Sequence, residues 1–331
     1  MGSDSKLRKN SREDKKIVAI FLLCLIFALG ITYYIDIGVD ASRAQNENAN
    51  RFGVSFMTMN NPFFTVISDS IRTIVEANGD IVIVRDPSLD SDRQIEQIRN
   101  MIDEKVNVIF ISPVDYEKII PVVQEARQKG IVVIFVDTEV YDESLADGIV
   151  VSDNYLAGVQ CARYLMEQKS SAKIFILEHT RTKSGNDRVK GFEDTIAGNE
   201  NYIIVDKENA EGQLEIAMPI TRDVQESGLS FDTVFAINDL SALGAMAALK
   251  EAGRLSSVGV LGVDGAPEAK AMIKENLMLA TSAQYPSKIG DLAVDQAYKI
   301  LNGEEYQKKI LVNVELITKD NVQNYGTNGW Q

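Results

Sequence analysis

From Arg51 onward, short apolar runs alternate with longer stretches whose apolar residues recur every three or four positions. The first pattern predicts strands buried on both faces, and the second predicts amphipathic helices. Strands are expected at 53–57, 81–85, 108–113, 132–137, 148–152, 173–178, 202–206, 233–238, 258–264, 277–284 and 310–318. Helices are expected between most of them, at 62–78, 92–104, 116–129, 155–168, 185–197, 213–226, 241–252, 267–274 and 287–301. Pro219 inside one helical run predicts a kink or a break there. The alternation specifies parallel sheets covered on both faces, and the strands outnumber what one sheet comfortably takes. The predicted class is α/β with two lobes, and no long linker divides them, so the chain is expected to cross between lobes several times.

The stretch ahead of Arg51 has a different pattern. Residues 17–35 are 19 positions without a charge, roughly 28 Å as a helix and about one hydrocarbon thickness. Lys15-Lys16 flank the near end and Tyr33-Tyr34 the far end, which orients residues 1–16 to the cytoplasm and the body outside. An uncleaved single-pass anchor is favoured over a cleaved signal peptide, for which Phe27-Ala28-Leu29-Gly30 is a poor cleavage site. Lipidation at Cys24 is disfavoured by the preceding Leu23. Residues 36–50 are polar and aperiodic, as expected of a tether.

Composition narrows the chemistry. The 331 residues carry a net charge of −14. Residues 1–16 hold six basic and three acidic groups, so the remainder carries −17. A body that acidic is repelled by phosphate backbones, which argues against nucleic acid as a partner. With two cysteines, expected to be apolar fillers, and one histidine, no disulfide, metal site or cofactor is expected. Asp86, Asp90, Asp92 and Glu96 lack the central glycine of a calcium loop; Ser91 or Asp92 capping the next helix is preferred. Residues 259–265 offer no glycine fingerprint opening a helix, and nothing near His179 resembles a nucleophile elbow. No enzyme activity is expected. Lys308-Lys309 is expected to face solvent.

The candidate chemistry lies at strand ends. Asn60-Asn61-Pro62-Phe63-Phe64 joins the first strand to the first helix, with Pro62 suited to the first helical position. Later apolar runs finish on Asp137, Asn238, Asp264 and Gln284. Ligands of open α/β sheets bind at the carboxyl ends of strands. Carboxylates and amides pair with hydroxyls, and the flat rings of Phe63 and Phe64 suit the C–H face of a sugar. Alone, each polar residue reads as an ordinary turn or helix cap; together they predict a cleft for an uncharged, polyhydroxylated molecule.

These residues also carry a resemblance. Met59 to Phe64, Val133 to Asp137, Phe235 to Asp239 with Ala242-Leu243-Gly244-Ala245, Val263-Asp264-Gly265, and Ala283-Gln284 with Pro286 resemble, in order and spacing, the type I sugar-binding proteins of bacterial solute uptake, most closely the ribose-binding group. The resemblance implies two Rossmann-like lobes joined by three hinge crossings, near Ser152-Asp153, Gln284-Tyr285 and Val312-Asn313, with the ligand between them. It divides the body into a first lobe of 51–152 plus 285–312 and a second of 153–284 plus 313–331. It implies contacts from Asn61, Phe63, Phe64 and Asp137 in the first lobe, from Asn238 and Asp264 in the second, and from Gln284 at a crossing. The chain departs from the ribose pattern at Met57, where that group has serine, at Thr138 and Asn186, where it has sugar-clamping arginines, and at Gly212, where it has an aromatic. These four replacements imply a sugar or polyol other than ribose by default. Arg188 matches a family arginine outside the contact shell and is expected to be structural, whereas His179 and Arg181 follow a strand and are candidates to reach the cleft.

The expected function is extracytoplasmic binding of a small sugar or polyol for an ABC-type permease. The alternative is presentation of the bound sugar to a membrane histidine kinase, which a permanent anchor would suit. The family's repressor branch is disfavoured, because a hydrophobic span stands where a helix-turn-helix would be.

Overall fold

Two six-stranded sheets with the same strand order organise the chain. The structure is a computed structural model and describes residues 49–331. The expected cytoplasmic segment and anchor, and the tether up to residue 48, lie outside the described residues. Among the described residues, no helix is long and apolar enough to cross a membrane.

The first sheet holds β1 (Arg51–Ser55), β2 (Ile81–Arg85), β3 (Val108–Ile111), β4 (Val132–Val136), β5 (Gly148–Ser152) and β11 (Lys309–Val312), in the order β11-β5-β4-β3-β1-β2. All its pairings are parallel. Its two faces have separate cores. Val108, Phe110, Ile134 and Val136 face α1 (Pro62–Ala77) and α9 (Pro286–Asn302). Their chain neighbours Ile109, Ile111, Val133 and Phe135 face α2 (Ser91–Asp103) and α3 (Ile120–Gln128). This is the period-two alternation of a sheet buried on both sides. On α1, Ile67, Ile71 and Val75 lie one turn apart and are fully buried, each contributing about 1.5–3 kcal/mol.

The second sheet holds β6 (Ala172–Glu178), β7 (Tyr202–Asn209), β8 (Thr233–Ala236), β9 (Gly259–Asp264), β10 (Ala280–Ala283) and β12 (Glu315–Thr318), in the order β12-β10-β9-β8-β6-β7. Only the β10–β12 pairing is antiparallel. Around it lie α4 (Asn154–Gln168), α5 (Lys183–Ile196), α6 (Leu214–Glu226), α7 (Asp239–Glu251) and α8 (Pro267–Lys274). A Cβ on Gly158 would overlap the carbonyl oxygen of Arg188, so glycine permits the close approach of α4 and α5.

The chain passes from one sheet to the other three times: between β5 and α4, between β10 and α9, and between β11 and β12. The run expected as one strand at 310–318 is therefore two strands, in different sheets. Of the kink or break expected at Pro219, the break is absent: α6 runs through it, because proline removes a single backbone donor and the buried Ala217 and Thr221 hold the turns on either side. Asp90, not Ser91 or Asp92, caps α2, accepting from the N–H groups of Asp92 and Arg93. Lys309 is not simply solvated: its Nζ donates to Glu139 at 3.0 Å and Glu143 at 2.6 Å.

Candidate functional site

In both lobes the first and third strands of the chain order lie side by side while the second is displaced to the edge, so each sheet has its topological switch point beside its first strand. The carboxyl ends of the two sheets meet around one narrow cleft with a cavity volume of about 40 Å³.

The first lobe supplies Met57, Asn61, Phe63, Phe64 and Asp137. Asn61 is the cap of α1: its Oδ1 accepts from Phe63 N–H at 3.0 Å, with Pro62 at the first helical position. Phe63 and Phe64 belong both to the cleft wall and to the core, packed edge to face at 5.5 Å. Asp137 follows β4 with φ 70°. Thr138 N–H donates back to Val136 O at 2.8 Å across it, so Asp137 occupies a strained three-residue turn. The turn holds its carboxyl at the mouth of the sheet.

The second lobe supplies His179 and Thr182 after β6, Glu211, Gly212 and Gln213 after β7, Ile237 and Asn238 after β8, and Asp264 at the end of β9. Asp264 also has a left-handed backbone, φ 136°. It is the fourth-strand counterpart of Asp137, so each lobe presents one buried aspartate from the same place in its fold. Gln284 lies at the second crossing, and its Nε2 donates to Asp264 Oδ1 at 2.7 Å. Its Oε1 is buried without a hydrogen-bond partner among the described residues. Asn238 caps α7 through Ser241 N–H at 3.0 Å and donates from Nδ2 to Gly212 O at 2.9 Å.

Arg188, for which a structural role is expected, lines the cleft while bonded to protein partners. Its Nε donates to Asn154 Oδ1 and its Nη1 to Ile237 O, both at 2.8 Å, and Nη1 lies 3.7 Å from Asp264 Oδ1. Burial pushes Asp137 up to about 7; the Arg188 charge opposes this, while Asp264 and Glu139 add to it. Burial likewise pushes Asp264 up to about 6 against the pull of Arg188. Beneath them, burial and then the Asp264 charge hold Asp239 well above the usual carboxylate range. Asp239 accepts from Thr281 Oγ1 and Ala266 N–H, both at 2.7 Å. The cleft thus sets one guanidinium beside two buried carboxyls, Asp137 and Asp264, with Asp239 electrostatically linked to Asp264 behind them.

Eight of the expected contact residues line this cleft: Met57, Asn61, Phe63, Phe64, Asp137, Asn238, Asp264 and Gln284. Thr138 and Asn186 do not. Thr138 Oγ1 accepts from Ser184 N–H at 3.0 Å, and Asn186 turns outward to Thr180 O and the Tyr141 hydroxyl. Both stitch the rim where the lobes meet. Of the two doubtful candidates, His179 reaches the cleft, whereas Arg181 pairs with Glu211 at 2.8 Å. Thr182, Ser184, Glu211 and Gln213 were not legible as lining residues. Arg188 had a signal in the sequence: it is the lone charge on the face of α5 that also carries Val189, Phe192 and Ile196.

Comparison with known proteins bears on this arrangement. A model of the periplasmic binding protein domain matches residues 52–305. The ribose import binding protein of Bacillus subtilis is 29% identical over 308 residues, covering 92% of this chain and 99% of that protein. An ABC transporter solute-binding protein from Mycobacterium smegmatis, solved with bound glycerol, superposes with a TM-score of 0.81 at 28% identity, covering 86% of this chain and 99% of that one. Another, from Bacillus halodurans with bound myo-inositol, superposes with a TM-score of 0.78 at 26% identity, covering 83% and 96%.

Proposed function

The chain belongs to the periplasmic binding protein family, and from that premise we propose that it binds a small uncharged sugar or polyol outside the cytoplasm as the solute-binding component of an ABC-type uptake system. The observation that carries this reading is the pair of buried aspartates, one from each lobe, facing a cleft walled on one side by Phe63 and Phe64. A buried carboxyl without a full set of partners is costly. Ligand hydroxyls would supply the missing donors, and they would do so only when both lobes are engaged, which couples binding to lobe closure. Asn61, Phe63, Phe64 and Asp137 would bind from the first lobe, Arg188, Asn238 and Asp264 from the second, and Gln284 from the crossing. Gln284 Oε1 would accept a hydroxyl proton. The protein binds rather than transforms its ligand in this reading.

Glycerol and myo-inositol in the two solved relatives support a polyol as readily as an aldose. Met57 and Gly212 stand in the cleft where the ribose pattern has serine and an aromatic, which further argues against ribose itself.

A second reading rests on residues 17–35. If that uncharged run anchors the chain, a tethered binding body suits presentation of its liganded form to a membrane histidine kinase. A thermal-shift screen of the full chain against pentoses, hexoses, cyclitols and linear polyols tests the shared claim: at least one raises the unfolding midpoint by several degrees. Failure of every one would overturn it. Co-purification with a permease or with a kinase separates the two downstream roles.

A further inference from the structure

The two walls of the cleft differ in character. The first-lobe wall is dominated by Met57, Phe63 and Phe64, whereas Ile237 is the one apolar side chain the second lobe contributes. On that second wall, Gly212 adopts φ 69°, and a Cβ there would meet Asn238 Nδ2 at 3.2 Å and His179 Nδ1 at 3.8 Å. The glycine therefore leaves the imidazole edge and the Asn238 amide facing the space a side chain would have filled.

His179 is held for this position. Its carbonyl accepts from the N–H of Thr182 at 3.3 Å and from Thr182 Oγ1 at 3.1 Å, the turn that opens α5. The residue is 3% exposed. Its Nε2 is buried without a hydrogen-bond partner among the described residues. Burial and the charges of Arg181 and Arg188 push the ring down to about 4, so it is uncharged at neutral pH and offers one donor and one acceptor.

Resting on the sugar or polyol reading above, we propose that His179 hydrogen-bonds a ligand hydroxyl and selects ligands with two unlike faces. The favoured ligand lays C–H groups on Phe63 and Phe64 and turns hydroxyls toward His179 and Asn238. Cyclitols and polyols with hydroxyls gathered on one face meet this requirement. A sugar that must be stacked between apolar surfaces on both sides does not.

His179 is the only histidine in the chain, so its imidazole resonances are unambiguous in an untagged protein. The test is an NMR titration of imidazole-labelled full chain with myo-inositol, xylitol and D-ribose, paired with calorimetry on His179→Ala and His179→Gln. The expected result is a shift of the ring signals by the tightest of the three ligands. His179→Ala should weaken that ligand about tenfold or more, and His179→Gln should recover part of the loss. A bound ligand that leaves the ring signals unmoved, or that binds His179→Ala as tightly as wild type, overturns the assignment and leaves the sugar or polyol reading standing. Failure of every sugar and polyol to bind wild type overturns both.

Discussion

The indole of Trp330 lies edge-on to the ring of Phe63, with ring centres 5.7 Å apart. Trp330 packs against cores of both lobes, and the next residue ties this contact to the site. Gln331 Nε2 donates to the main-chain oxygen of Asp264 at 2.9 Å and to that of Gln284. Lys270 Nζ secures the segment through Gly329 O at 2.7 Å and Gln331 Oε1 at 3.2 Å. The tail thus backs the stacking ring from outside the cleft. Trp330→Ala should cost about 1–2 kcal/mol of stability and weaken ligand binding about three- to tenfold, as Phe63 loses its support. Unfolding curves and calorimetry check the two effects, and unchanged affinity would show that Phe63 holds its place without the indole.

The raised aspartates make binding depend on pH. A hydroxyl donor favours the ionised carboxylate, so binding must displace a proton wherever Asp137 or Asp264 holds one. Affinity should rise with pH up to about 7, where Asp137 ionises, and fall most steeply below about 6, where Asp264 also protonates. Proton release measured in buffers of different ionisation heat checks this near pH 6. A pH-independent affinity between 5 and 8 would contradict it.

The same shifts act on the ligand-free fold with a definite sign. Both folded-state values exceed the ordinary 3.8, so the stability these groups contribute is present below 3.8 and is lost as pH rises through about 6 and about 7. Asp137→Asn removes its share of that loss. Its stability relative to wild type should grow from pH 4 to about 7 and then level, by on the order of 4 kcal/mol. Denaturant titrations at each pH read the difference, and a gap that shrinks with pH would contradict the assignment of Asp137 as the strained, buried acid.

At the rim the lobes are joined by charge. Buried Glu139 of the first lobe takes Lys309 Nζ at 3.0 Å and, from α5 of the second lobe, Lys183 Nζ at 3.4 Å. Glu139→Gln should weaken closure by about 1–2 kcal/mol, equivalent to about a five- to thirtyfold loss of ligand affinity. The variant should bind with less dependence on salt than wild type. Equal affinity and equal salt dependence would mean that the pair contributes nothing to closure.

How much of this was legible depended on whether local pattern or tertiary packing decides. Asp137, Asp264 and Gln284 stand out because each ends an apolar run, and the ladder that buries the run leaves its last residue at the sheet mouth. Asn61 and Asn238 were legible for the same reason, as caps between a strand and a helix. Arg188 was harder: its lone charge on the apolar face of α5 marks it, but the partners that hold it in the cleft, Asn154 of α4 and the Ile237 carbonyl, are distant in sequence. Thr138 and Asn186 occupy matching positions in the ribose pattern, yet their short side chains end at the rim. The division of residues 310–318 into β11 and β12 is a property of the hinge: apolar content alone reads the run as one strand, and it is the resemblance, with its crossing near Val312-Asn313, that places the change of sheet.

The central claim is that one aspartate from each lobe holds the same uncharged ligand. Calorimetric titration of wild type, Asp137→Ala and Asp264→Ala with the tightest sugar or polyol from the screen tests it most directly. The account predicts a loss of about a hundredfold or more in each variant, since each leaves a buried ligand hydroxyl without its charged acceptor, while thermal unfolding shows both variants folded. Wild-type affinity in both folded variants would contradict it.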